Sequence, residues 1–213
     1  MNARTYNLDA DAARETESSG SDYIASAGKY KGKFTRAEAI KSPKGTDGVE
    51  FGFLSDDGKE AGFLTLWTYN ASGETLYGHK MLMALMTCMK ARSLQPSQAQ
   101  LEKYNFNSKT NEKTEMTVYQ DLMNKPIGLI LREEEYINGS GELKSKLAIF
   151  QSFTHDTKQV ASEVLDAQGM SSQLESIVKY VAENPVKKVK NPPQQTNVTQ
   201  VDGAPSFDDD LPF

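Results

Sequence analysis

Apolar and polar positions alternate in several short stretches of this chain, and the alternation predicts five strands. Residues 30–40 mix β-forming side chains with alternating charge and close at Ser42-Pro43-Lys44-Gly45, a turn. In residues 48–54, Val49, Phe51 and Phe53 alternate with Glu50 and Gly52, as in a half-buried strand. Asp56-Asp57-Gly58-Lys59 then predicts a tight hairpin, because Asp-Gly supplies the positive φ such turns need. The strand that follows, 61–69, ends at Asn70-Ala71-Ser72-Gly73. Residues 126–136 place Ile127, Leu129 and Leu131 on one side, Asn138-Gly139-Ser140-Gly141 turns the chain, and 143–153 pairs back. Between the third and fourth strands the period lengthens. Residues 76–94 carry Leu76, Met81, Leu82, Met83, Leu85, Met86, Cys88 and Met89, which predicts a helix apolar around much of its girth, with Lys90 and Arg92 near its end and Pro96 beyond. A second helix is expected from a Thr157 cap to about residue 182, interrupted near Gly169-Met170. Residues 97–115 are polar enough to predict a loop.

Three strands, a helix and two strands is the element order of an OB-fold, a five-stranded Greek-key barrel with a helix between strands three and four. The expected fold class is therefore mainly β: such a barrel with an added C-terminal helix. Three segments follow. Residues 1–28 read as a flexible N-terminal arm, 29–183 as the barrel domain with its helix, and 184–213 as a disordered linker ending in an acidic segment.

With 213 residues the chain has room for one ordinary domain with flanking segments. No apolar run approaches the ~20 residues of a membrane helix, and the first residues lack the apolar core of a signal peptide, so a cytoplasmic location is expected. One cysteine, Cys88, rules out an internal disulfide, and two histidines leave little for a zinc site. No phosphate-binding glycine loop and no nucleophile–base pair is present; Asp56-Asp57 falls in a turn and Glu133-Glu134-Glu135 reads as a solvated run. The expectation is a non-catalytic protein without cofactor or metal. The formal net charge is −5, and residues 1–183 alone hold 21 basic and 25 acidic side chains. Binding of a polyanion then depends on where the cations sit rather than on their sum.

The segment Phe207-Asp208-Asp209-Asp210-Leu211-Pro212-Phe213 has a distinctive chemistry. It is too short, charged and proline-broken to fold alone, yet an apolar pocket with a basic rim would grasp it. It resembles the acidic C-terminal tip of bacterial and phage single-stranded DNA-binding proteins, which typically ends Asp-Asp-Asp-Ile-Pro-Phe; here Leu211 stands for Ile. The resemblance implies a phage or bacterial strand-coating protein that recruits replication, recombination and repair proteins through Asp208, Asp209, Asp210, Leu211, Pro212 and Phe213. It also implies self-association, with a dimer plausible. The body resembles divergent phage OB-fold members of that family.

Binding a single strand without sequence preference calls for aromatic faces beside cations. In the third strand Phe63, Trp67 and Tyr69 share one face, opposite Leu64 and Leu66. In the last strand Lys144, Lys146 and Phe150 share the face opposite Leu147 and Ile149. The stretch 29–44 holds six cations and one acid, with Lys31, Lys33 and Arg36 the candidates for phosphate. Tyr104 and Phe106 in the expected loop would clamp over the strand. Two other functions remain open on sequence alone: an adaptor that uses the acidic segment without DNA, and a mediator that anneals complementary strands.

Overall fold

The structure is a computed structural model that describes residues 22–105, 107–167, 169 and 173–189. Its organising element is β1 (Gly28–Lys41), whose two edges are used differently. One edge pairs antiparallel with β2 (Asp47–Ser55) from Gly32↔Ser55 to Lys41↔Asp47. The other edge is split. Its first half, Gly28 to Lys33, pairs with β6 (Pro126–Ile137), whereas Glu38 pairs with Val118 of β5 (Thr110–Val118). A bulge between Phe34 and Arg36 makes the change of neighbour possible, since an extra residue bends and twists a strand. In the gap between the two partners, a 3-10 turn at Gln120–Leu122 leads to Asn124, whose N–H donates to the Phe34 carbonyl at 2.8 Å.

The five predicted strands are present as β1, β2, β3 (Glu60–Tyr69), β6 and β7 (Leu143–Phe153), with ends within a few residues of those expected. The fold is mainly β, and its sheet is antiparallel apart from β8 (Val186–Lys187), which runs parallel to β6. Three additions were not expected. Residues 97–115 are a hairpin, not a loop: β4 (Ser97–Asn105) pairs with β5 in unbroken register from Ser97↔Val118 to Asn105↔Thr110. Half-buried Ser97, Ala99, Leu101 and Lys103 alternate there with exposed neighbours, so the strand period is carried mostly by polar residues. Residues 185–189, taken from sequence as linker, lie along β6, where Glu133 N–H donates to the Pro185 carbonyl at 3.0 Å. Residues 22–24, taken as arm, lie beside β3: Glu60 N–H donates to Asp22 at 2.8 Å, Ile24 N–H to Glu60 at 2.7 Å, and Ile24 is buried. Among the described residues β3 and β7 touch without exchanging a ladder, so the sheet is not closed into a barrel.

Two clusters of apolar side chains hold the layers together. The larger lies inside the curved sheet, around Phe34, Phe51, Phe53, Leu64, Leu129 and Leu131, and is covered by Met81, Leu82 and Leu85 of α1 (Tyr77–Cys88). The smaller joins Ile130 and Phe153 to Val160 and to Leu174 and Val181 of α3 (Gln173–Glu183). β6 is therefore buried on both faces, which accounts for the unbroken apolar run Ile127 to Leu131. α1 meets β3 so closely that a Cβ on Gly78 would stand 2.3 Å from the Trp67 carbonyl oxygen. Only glycine allows that approach.

Both helices are shorter than expected. α1 ends at Cys88 because Lys90 takes a left-handed conformation (φ 56): its N–H donates to Thr87 O at 3.1 Å and Ala91 N–H to Met86 O at 2.9 Å. That pair of bonds is a Schellman stop, so Lys90 and Arg92 lie past the helix. Thr157 starts no helix. Its hydroxyl joins Thr154 (2.6 Å) and Gln159 (2.7 Å) in a turn, and a bridge between Phe153 and Val160 keeps the chain extended. α2 (Ala161–Leu165) begins there, with Val160 N–H donating to buried Glu163 at 2.8 Å, and α3 is a separate helix. None of the helices among the described residues is long and apolar enough to cross a membrane.

Candidate nucleic-acid interface

The β4–β5 hairpin leaves the edge of β1 and curls over the outer face of β1, β2 and β3. Lys103 of β4 fixes that course, reaching Glu38 of β1 at 2.7 Å and Glu50 of β2 at 3.2 Å. Beneath the hairpin lies a groove of about 580 Å³ lined by Thr35, Arg36, Gly52, Phe63, Leu101 and Tyr104, with Tyr23 at one end. Glu60, Ala61 and Gly62 carry it on to a hollow of about 280 Å³ between Tyr23 and the β6–β7 ladder, bordered by Glu133, Ser145, Lys146 and Leu147. A linear ligand laid along this path would cross β3 and be flanked by both hairpins.

The local backbone aims Phe63 into the groove. Phe51 pairs with Leu64 and Phe53 with Ala61, so Gly62 and Phe63 together oppose Gly52. Phe63 has φ 57, a conformation that bulky residues rarely hold. Bulges re-aim side chains beside binding sites, and strained residues gather there. The Arg36 guanidinium lies 5.7 Å from the Phe63 ring centroid.

The other expected strand contacts divide into those near the groove and those elsewhere. Trp67 faces outward as predicted, but a register shift opposite Asp47 and Gly48 turns Tyr69 to the α1 side instead, and neither stands free. Trp67 lies against Gly48, where a Cβ would meet its ring at 2.8 Å. Tyr69 meets His79 edge-on at 5.1 Å and borders a separate hollow beside α1. Tyr104 lines the groove and is 40% exposed. Arg36 is also in the groove, bound at 2.8 Å to Glu50. Lys146 stands at the far end, 5.6 Å from the Tyr136 ring centroid, and Lys144 pairs with Glu142 at 3.2 Å.

Phe150 is taken up by packing: it stacks on Tyr180 of α3 at 5.8 Å, with Arg132 over both rings. It faces away from Ile149 as predicted, but α3 covers that face, so it offers nothing to the groove. Lys33 is exposed two residues before Thr35, whereas Lys31 faces His155 and Asp156. Phe106 and the segment Asp208, Asp209, Asp210, Leu211, Pro212 and Phe213 lie outside the described residues.

Comparison with known proteins finds no family model and no curated protein that matches this chain.

Tyr23 and Leu101 line the groove, and Lys103 anchors the hairpin above it, but none of the three was a candidate from sequence. The signal for Leu101 and Lys103 was present in the alternation of residues 97–103, and for Tyr23 in the apolar pair Tyr23-Ile24 just ahead of β1. The glutamate run has three different settings. Glu133 borders the hollow, Glu134 pairs with Lys187 at 2.8 Å, and Glu135 accepts the Val189 N–H at 3.2 Å. Cations and carboxylates therefore alternate along the path, and the aromatic faces, rather than net positive charge, distinguish it. Among the described residues no three His, Cys, Asp or Glu side chains converge as a metal would require.

His155 ties the β2–β3 turn to the chain after β7, with Nδ1 2.7 Å from Asp156 and Nε2 2.9 Å from Asp56. The hydrogen bond to Asp156 raises its pKa above the ordinary histidine value; partial burial opposes this and the bond to Asp56 adds to it. A raised value in the folded protein means that the stabilisation is fully present below the unfolded pKa of about 6.5. It is lost as pH rises through the higher folded value. Hydrogen exchange of the β2–β3 turn should accordingly quicken over that rise beyond the ordinary base dependence, and His155→Gln should abolish the extra step; an unchanged profile in the variant would refute this.

Proposed function

We propose that this chain is a non-catalytic single-stranded DNA-binding protein. It holds the strand in the groove beneath the β4–β5 hairpin, by stacking on Phe63 and Tyr104 and by cation–phosphate contacts from Arg36, Lys103 and Lys146. The observation that carries this reading is the bulge that turns Phe63 into a groove already bordered by Tyr104 and an arginine. A slot between a hairpin and a sheet suits an unpaired chain with exposed bases, because every base has a face to stack whatever its identity. The succession β1, β2, β3, α1, β6, β7 supports an OB-fold in which β4 and β5 are an insertion and residues 22–24 lie beside β3 near β7. The acidic segment 208–213 would then recruit replication and recombination proteins to the coated strand.

The adaptor alternative, with the acidic segment in use and no DNA bound, is favoured by one feature: Arg36 and Lys103 are already neutralised by Glu38 and Glu50. Titration with oligo-dT at two salt concentrations, followed through the fluorescence of Trp67, the one tryptophan in the chain, separates the two. Binding that weakens as salt rises supports strand coating. Absence of binding at low salt would leave the adaptor. A mediator of annealing would in addition accelerate pairing of complementary oligonucleotides.

A further inference from the structure

The four charges that anchor the hairpin form a closed set. Glu38 and Glu50 are cross-strand neighbours on β1 and β2, facing out of the core. Lys103 Nζ bridges both, at 2.7 and 3.2 Å, and Arg36 reaches Glu50 at 2.8 Å and Glu38 at 3.5 Å. All four side chains are at most 28% exposed, with Arg36 at 10%. The set is neutral, yet its satisfaction is incomplete: the 3.5 Å contact to Glu38 is made by the buried Nε of Arg36, which makes no hydrogen bond to it or to any other acceptor among the described residues. Arg36 lines the groove, and Tyr104, next to Lys103 in sequence, does too. Beyond this cluster and the buried Met116 and Val118 at its base, the hairpin makes few contacts. Its one ladder pair with β1 is Glu38↔Val118 among the described residues, and Thr110 to Glu115 are exposed.

We propose that Arg36 and Lys103 form a masked phosphate site for one backbone phosphate of a bound single strand. In the unliganded protein Glu38 and Glu50 occupy the two cations and so hold the hairpin down. An arriving phosphate replaces the carboxylates on the same donors, the guanidinium fork and the ammonium, both suited to a phosphate oxygen. The carboxylates turn to water, the hairpin loosens, and the strand enters beneath it. Anion replaces anion on donors that stay partly buried, so neither cation is left unpaired at any stage. The proposal rests on the strand-binding function above and adds to it a gate and the residues that operate it.

Two variants of the full chain test it, Glu50→Gln and Lys103→Met, each read twice. Hydrogen exchange over residues 97–105, without DNA, should rise in both, because each breaks the anchor. Affinity for oligo-dT should move in opposite directions. Glu50→Gln removes a competitor and should tighten binding severalfold, while Lys103→Met should weaken it and flatten the slope of log affinity against log salt by about 0.7, the loss of one single-strand phosphate contact. Weaker binding in both variants, or an unchanged slope in Lys103→Met, would show that the cations serve the hairpin alone and would overturn the masked site. If the wild type fails to bind, gain of binding in Glu50→Gln still supports the site while removing the coating function; no binding in either overturns both.

Discussion

Replacing Phe34 with alanine is expected to lower stability by about 3–5 kcal/mol, the range for a large aromatic lost from a packed core. Phe34 is fully buried, with its ring centroid 4.4 Å from that of Phe51 and 6.0 Å from that of Phe53. The surroundings have little freedom to collapse into the space. Phe34 is in register with Phe53, its carbonyl accepts the Asn124 N–H at 2.8 Å, and the bulge that redirects β1 begins at this residue. A cavity left open costs more than one that refills. Urea denaturation should show a lower midpoint with an unchanged slope, and Phe34→Leu should fall in between. A loss of less than about 1 kcal/mol, small for any core truncation, would mean that the core is organised around some other residue.

The largest functional effect is expected at Phe63. Stacking of one base on an aromatic side chain is worth roughly 1–3 kcal/mol, so Phe63→Ala should weaken oligo-dT binding by that amount and Phe63→Tyr should restore most of it. Phe63→Gly separates the ring from the backbone. The native φ of 57 is one that glycine adopts freely, so relief of strain offsets part of the lost packing. Binding should fall as far as in the alanine variant while the melting temperature moves less. If all three variants bind like the wild type, the groove is not where the strand lies, and attention passes to Trp67 and Tyr69.

Strands with one apolar face were legible from their alternation; what hid the rest was a different physical cause in each case. The β4–β5 hairpin has the right period, but its half-buried face carries Ser97 and Lys103, so hydrophobicity does not report it. Burial of Lys103 depends on Glu38 and Glu50, 65 and 53 residues earlier in the chain, and no local window contains that pairing. The outward face of β3 followed from Leu64 and Leu66, but what its aromatics meet did not. Trp67 is covered because residue 48, across the ladder, is a glycine, and Phe63 is exposed to the groove because a bulge of one residue intervenes. Phe150 failed as a candidate because α3, a helix later in the chain, covers the face it was expected to present. The early end of α1 at Lys90 was hidden because a Schellman stop usually announces itself with glycine.

β6 contributes Leu129 and Leu131 to one cluster and Ile130 to the other. A wall common to two rooms cannot be removed from one of them only. The α3 side and the α1 side should therefore melt as a single cooperative unit, with tyrosine signals near Tyr180 and the fluorescence of Trp67 changing at the same denaturant concentration. The outer part of the β4–β5 hairpin lies outside both clusters and should open at lower denaturant, so the groove beneath it can widen while the core stays closed.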